Sequence, residues 1–132
     1  MLSLDDRFLC VSWWGTGERP QCDVSDPFAP VLAGSARLGG IVSRFPHRAS
    51  GPLNGGPQMV ELGRDGGRLY LTNSLYASWD AHFYPEGIDG WAVELGADPA
   101  GGLRVDPASS PTSRASGPTR CALEGGDASS AS

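Results

Sequence analysis

The sequence predicts an all-β fold: a partial β-propeller of about two blades of antiparallel strands, followed by a disordered C-terminal tail. Three observations carry that expectation. Short strand-like runs alternate between turn residues, and a turn-and-strand unit returns at an offset of sixty residues. Glycine and proline, 19 and 11 in 132 residues, leave little room for long helices. The apolar fraction of 39% also lies below the ~45–50% of an average globular domain.

The elements follow in order. Asp5-Asp6 is a turn signal, because a short acidic side chain hydrogen-bonds the backbone two residues on. The run RFLCVSWW (7–14) alternates Phe8, Cys10 and Ser12 on one face with Leu9, Val11 and Trp13 on the other, as a strand requires. Gly15-Thr16-Gly17 provides a hairpin turn, and ERPQCDVS (18–25) returns as a second strand. Pro20 lacks the ladder donor and predicts an edge strand or a late start. Asp26-Pro27 punctuates, and PVLAGSARL (30–38) reads as a third strand. The segment 39–57 is dense in Gly and Pro and reads mostly as loop, before the strand QMVEL (58–62).

The pattern then repeats. SLDDRFLCVS (3–12) laid over GRDGGRLYLT (63–72) pairs Asp5 with Asp65 and Leu9 with Leu69. VSDP (24–27) lies over GADP (96–99) at an offset of seventy-two, so the second copy carries twelve extra residues within SLYASWDAHFYP (74–85). A strand unit recurring at long period is the mark of a repeat architecture, and propeller blades run ~40–45 residues before loop insertions. Residues 1–107 hold the blades. In residues 108–132, nineteen of twenty-five are Ala, Ser, Gly, Pro or Thr, too little apolar surface to offset the entropy of ordering.

Charge narrows the function. The net charge of −5 and the ten single, scattered Arg disfavour a nucleic-acid binder, which needs a basic face. No window reaches the ~18 apolar residues of a membrane span. The opening MLSLDDRF has acids where a signal peptide is basic and apolar. That predicts a cytoplasmic protein, or a periplasmic one if a leader lies further upstream. Cys10, Cys22 and Cys121 are odd in number and form no C-x-x-C pair, so isolated thiols are expected.

Candidate chemistry is sparse. Metal catalysis by imidazole needs several ligands at one point, and this chain has two His, His47 in the Pro/Gly-rich segment and His82 in the aromatic stretch. They are weak metal candidates, and surface roles are expected for both. Asp80 and His82, at i and i+2, would share a face if the stretch were a strand, as a base and its orienter do. No nucleophile accompanies them. Trp13, Trp14, Trp79 and Trp91 are expected to pack rather than to bind.

An ordered set of phrases is more specific. LSLDDRFL (2–9), WGTGE (14–18), DVSDPFAPVLAG (23–34), GGPQM (55–59), DGGRLYLTNSLYASWD (65–80), FYP (83–85), GGLRVDP (101–107) and GGD (125–127) occur in order. Together they resemble the C-terminal part of the selenium-binding protein family, whose members include the methanethiol oxidases. The resemblance implies a β-propeller, copper-dependent oxidase that converts methanethiol, with O2 and water, to formaldehyde, hydrogen sulfide and hydrogen peroxide. It implies selenium binding as well, through a cysteine in a preceding region that this chain lacks. That region also carries most of the histidines expected to hold copper. The implied partners are a small thiol substrate and either the missing N-terminal blades or a protein in their place. Trp14, Gly55, Gly56, Asp80 and Asp127 fall on family-motif positions without an assigned role.

Departures from the family pattern weaken its chemistry here. His82 stands where the family commonly has an amide, and Cys22 where it usually has Tyr. The family usually ends in a His-Glu pair before a Pro-Gly-Gly-Asp-Cys phrase. Here GPTRCALEGGDASSAS has no His, Glu124 replaces the Pro, and Ala128 stands at the Cys. The expected function is therefore a C-terminal fragment of a methanethiol-oxidase-like protein, inactive alone. The alternatives are a non-catalytic β-rich interaction module and the product of a degraded gene.

Overall fold

A computed structural model describes residues 1–40, 42, 45–47, 51–53, 55–73, 77–88 and 90–106. The side chains of residues 45–47, 51, 52, 77 and 80 lie outside that description. The predicted tail and Asp127 lie outside the described residues as well.

Two antiparallel sheets form the body. The first holds β1 (Phe8–Cys10), β2 (Glu18–Asp23) and β3 (Val31–Arg37) in chain order. A short hairpin, β4 (Phe45–His47) with β5 (Gly51–Leu53), separates it from the second sheet. That sheet holds β6 (Pro57–Leu62), β7 (Arg68–Asn73), β8 (Ala92–Ala97) and β9 (Leu103–Val105), also in chain order. The helix α1 (Ala77–Phe83) lies between β7 and β8. Among the described residues, no helix is long and apolar enough to cross a membrane.

The internal repeat extends to single hydrogen bonds. Ser3 N donates to Phe8 O at 2.8 Å, and Gly63 N to Arg68 O at 2.8 Å. Asp5 Oδ1 accepts from Arg7 N, and Asp65 Oδ1 from Gly67 N. The next residue of each turn is left-handed, Asp6 at φ 56° and Gly66 at φ 71°. Glycine takes that conformation freely, and aspartate is among the few other residues that tolerate it. The second turn type repeats too, with Asp26 Oδ1 accepting from Phe28 N and Asp98 Oδ1 from Ala100 N. Asx turns are encoded locally, which is why the sequence match found them.

Register completes the equivalence. Leu62, Leu69, Leu95 and Val105 lie opposite one another across β6–β9. In the first sheet Leu9, Cys22 and Leu32 form the same row, and Leu2 joins it through an isolated antiparallel bridge to Leu9. The second copy therefore has four strands, where the sequence pattern suggested three. In the first, Leu2 alone stands at the place of Leu62.

The sheets stack as successive blades of a partial β-propeller. Leu62, Leu69, Leu71, Val93 and Leu95 of the second sheet form one core with Cys10, Ala36 and Leu38 from the first sheet and the residue that follows it. Each such aliphatic side chain contributes about 2 kcal/mol by leaving water. Polar groups pin the contact: Gly102 N donates to Gln21 Oε1 at 2.7 Å, and Ser12 Oγ donates to Pro57 O. A Cβ at Gly34 would fall 2.9 Å from Gly102 Cα, so the backbones approach too closely there for any other residue.

Four sequence expectations are corrected. β2 is the central strand of its sheet, not an edge. Pro20 is accommodated because β1 ends at Cys10, so its missing N–H falls beyond the β1–β2 ladder, opposite Val11. Residues 39–57 are not all loop, since β4 and β5 pair within them. The aromatic stretch 74–85 contains α1 rather than strand or loop alone. Lastly, Trp13 and Trp79 are exposed, and only Trp91 joins the core.

Candidate functional site

Three of the motif positions converge beside α1. Trp14 follows β1, Gly55 and Gly56 precede β6, and the chain passes between them at backbone contact. A Cβ at Gly56 would lie 2.0 Å from the Trp14 carbonyl oxygen, which leaves glycine as the fitting residue. Gly55 sits at φ 75°, and a Cβ there would press on Asn73 Nδ2 and Ile88 Cδ1 at 3.0 and 3.1 Å.

Asn73 was not singled out in the sequence, yet it organises this corner. Its Oδ1 accepts from Trp91 N at 2.7 Å, and its own N donates to Trp91 O. The excursion bearing α1 therefore leaves and re-enters the sheet at one hydrogen-bonded pair. An Asn at the end of a strand, before a long insertion, was the available signal.

Helix α1 presents its aromatics to Trp14. The Trp14 and Phe83 rings meet edge to face with centroids 5.6 Å apart, and Trp14 meets Trp79 at 6.5 Å. Trp79 and Phe83, four residues apart, share one helical face. That spacing was the helix signal in ASWDAHF. Rings packed edge to face stabilise one another by about 1 kcal/mol per pair. These ring contacts fasten α1 against Trp14.

Asp80 and His82 both fall in α1 rather than on a strand, so the strand face expected to pair them does not exist. His82 is exposed, its ring edge-on to Phe83 at 5.2 Å. His47 lies on β4, and Asp127 lies outside the described residues.

A cavity of about 250 Å³ opens between the sheets and is lined by Cys10, Gln21, Leu62 and Leu69, together with Asp5, Asp65 and Asp98. Its carboxylates are committed to turns. The Ser3 hydroxyl, then the Arg7 amide, holds Asp5 below the usual carboxylate range. The Gly67 amide, then the Arg68 side chain, does the same to Asp65. Neither is poised to carry a proton near neutral pH. Burial pushes the Cys10 thiol up, the reverse of what a nucleophile needs.

Among the described residues, no three His, Cys, Asp or Glu side chains gather as a metal site. Among the described residues the donors do not make a copper site, since no second imidazole or thiolate gathers with His82.

Arg19 is the unexpected charge. It lies on the inner face of β2, 0% exposed, and among the described residues all three guanidinium nitrogens lack a hydrogen-bond partner. Burial lowers its pKa to about 10, with Cys10 acting weakly the other way.

Comparison with known proteins gives these features a family. The family model described as "56kDa selenium binding protein (SBP56)" matches residues 1–132. The chain belongs to this family. It is 39% identical to the methanethiol oxidase of Xenopus tropicalis, over 81% of this chain and 27% of that protein. It is 39% identical to selenium-binding protein 3 of Arabidopsis thaliana, over 81% of this chain and 26% of that protein. A solved structure of a hypothetical selenium-binding protein from Sulfolobus tokodaii superposes with a TM-score of 0.82 at 51% identity, covering 99% of this chain and 29% of that one. This selenium-binding family member thus spans about a quarter of the length of the curated relatives it matches.

Proposed function

We propose that this chain acts as the C-terminal part of a methanethiol-oxidase-like protein and is inactive by itself. One observation carries the reading: the chain matches about a quarter of relatives named methanethiol oxidase. In the assembled protein, a small thiol would be oxidised with O2 and water to formaldehyde, hydrogen sulfide and hydrogen peroxide. Copper, and any selenium, would be held by residues outside this chain. The contribution of this chain is structural: two stacked sheets, with Trp14 and α1 closing one corner. A cytoplasmic location is part of the same proposal.

The test joins this chain to the part of the Sulfolobus tokodaii protein that it does not match, in place of the 29% that it does. The chain alone is expected to show no saturable copper binding and no peroxide release from methanethiol, and the chimera to show both. Stoichiometric copper binding with turnover by the isolated chain would overturn the proposal.

A further inference from the structure

We infer that the cavity between the sheets is a binding site for a small neutral aromatic molecule, a phenol with one short substituent. The site calls on none of the chemistry proposed above.

The internal repeat shows what this cavity lacks. The offset of sixty that pairs Asp5 with Asp65 also pairs Cys10 with Tyr70. The bonds from Ser3 N to Phe8 O and from Gly63 N to Arg68 O hold the two strands at the same phase. Cys10 and Tyr70 are both buried, each 6% exposed, yet one ends in a single sulfur and the other in a phenol ring. The cavity of about 250 Å³ opens at that sulfur. One copy thus fills its position with a ring from the chain, and the other leaves room for a ring from outside.

Size and lining select the ligand. An apolar cavity of ~150 Å³ stays dry and admits benzene, whereas drug-sized ligands need ~300–1,000 Å³. The volume here therefore suits one substituted ring. Leu2, Leu4, Phe8, Leu62 and Leu69 supply apolar walls, and the Phe8 ring can meet a second ring edge to face. Gln21 lines the cavity too. Its Oε1 accepts from Gly102 N at 2.7 Å, which leaves its NH2 group to donate to a hydroxyl oxygen. Asp5 and Asp65 are held below the usual carboxylate range, so they are ionised and repel an anion. Their oxygens are engaged by Ser3, the turn amides and Arg68, and the Met1 ammonium lies beside Cys10 O at 3.2 Å, which disfavours a cation. The ligand is therefore uncharged. Burial keeps the Cys10 thiol protonated, so the sulfur packs against the ring and does not react with it.

The test uses the full chain with p-cresol, which is the tyrosine side chain as a free molecule. Calorimetric titration is expected to show one saturable site with a Kd at or below about 1 mM. The anion p-toluenesulfonate and the cation 4-methylbenzylamine are expected to bind at least about tenfold more weakly, since each must bury a charge. Cys10→Tyr supplies the ring covalently and is expected to weaken p-cresol binding at least about tenfold, as a filled cavity admits no second ring. Circular dichroism checks its fold. A measurement on the parent chain needs no variant: saturating p-cresol should slow modification of Cys10 by methyl methanethiosulfonate several-fold and leave the Cys22 rate unchanged, read by peptide mass spectrometry. Absence of saturable binding, equal binding of either charged analogue, full binding by a folded Cys10→Tyr, or an unprotected Cys10 overturns the inference. So does loss of binding in the chimera described above, because a side chain of the remaining protein then fills the cavity.

Discussion

At the scale of single residues, the buried charge and the turn aspartates are opposites. Asp5 and Asp65 are satisfied within three residues of themselves, so their roles are legible in the sequence. Arg19 has no such local signature. Its burial follows from the second sheet closing over β2, which no window around residue 19 contains. An enclosed guanidinium without acceptors destabilises the fold, since it loses hydration and gains nothing in return. Replacement by an apolar residue of similar length removes that cost. Arg19→Leu is expected to raise the Tm by on the order of 5 °C. The pH dependence has a definite sign. The native arginine titrates at about 10, below its ordinary range, so the unfolded chain binds the proton more tightly. Stability of the parent chain should rise relative to Arg19→Leu as pH climbs through that interval. Thermal melts of both proteins across it check the sign, and a gap that widens would contradict the burial argument.

At the scale of elements, strands were legible and the inserted structures were not. Alternation and Asx turns located β1, β2, β3, β6 and β7 to within a few residues. The hairpin of β4 and β5 was hidden by its Gly and Pro, which read as loop when local signals stand alone. Helix α1 was hidden by its aromatics, which favour strands unless the four-residue spacing of Trp79 and Phe83 is noticed. Pro20 misled about position in the sheet, because the sequence shows the missing donor but not where β1 stops. Val11 N donates to Pro20 O at 3.0 Å, and the reciprocal bond of that pair is the one proline forgoes. Pro20→Val is expected to add it, stabilising the sheet by about 1 kcal/mol. Hydrogen exchange should then show a protected amide at position 20. A freely exchanging amide there would show that the strands diverge before Val11.

At the scale of the whole molecule, the repeat made the architecture readable and the site remained dark. The first and second sheets could be matched because turns and registers recur. Among the described residues no comparable signal marks a reactive centre, because Trp14, Gly55 and Gly56 converge for packing reasons. The first sheet also keeps β1 with little beside it and its apolar row uncovered. Exposed edges and faces of this kind promote association. The isolated chain is expected to unfold over a broad, concentration-dependent range, with light scattering rising on heating. A sharp, reversible transition of a monomer in calorimetry would show that two stacked sheets suffice.

The Asn73–Trp91 pair has a consequence for how this part of the molecule can vary. Both ends of the α1 excursion are held at a single point, while Thr72 and Ala92 remain paired immediately inside it. Length added or removed between them need not disturb the β7–β8 ladder, since the change is absorbed outside a closed gate. Position 73 is thus a natural graft point. Foreign loops inserted between Asn73 and Trp91 should leave both sheets in register.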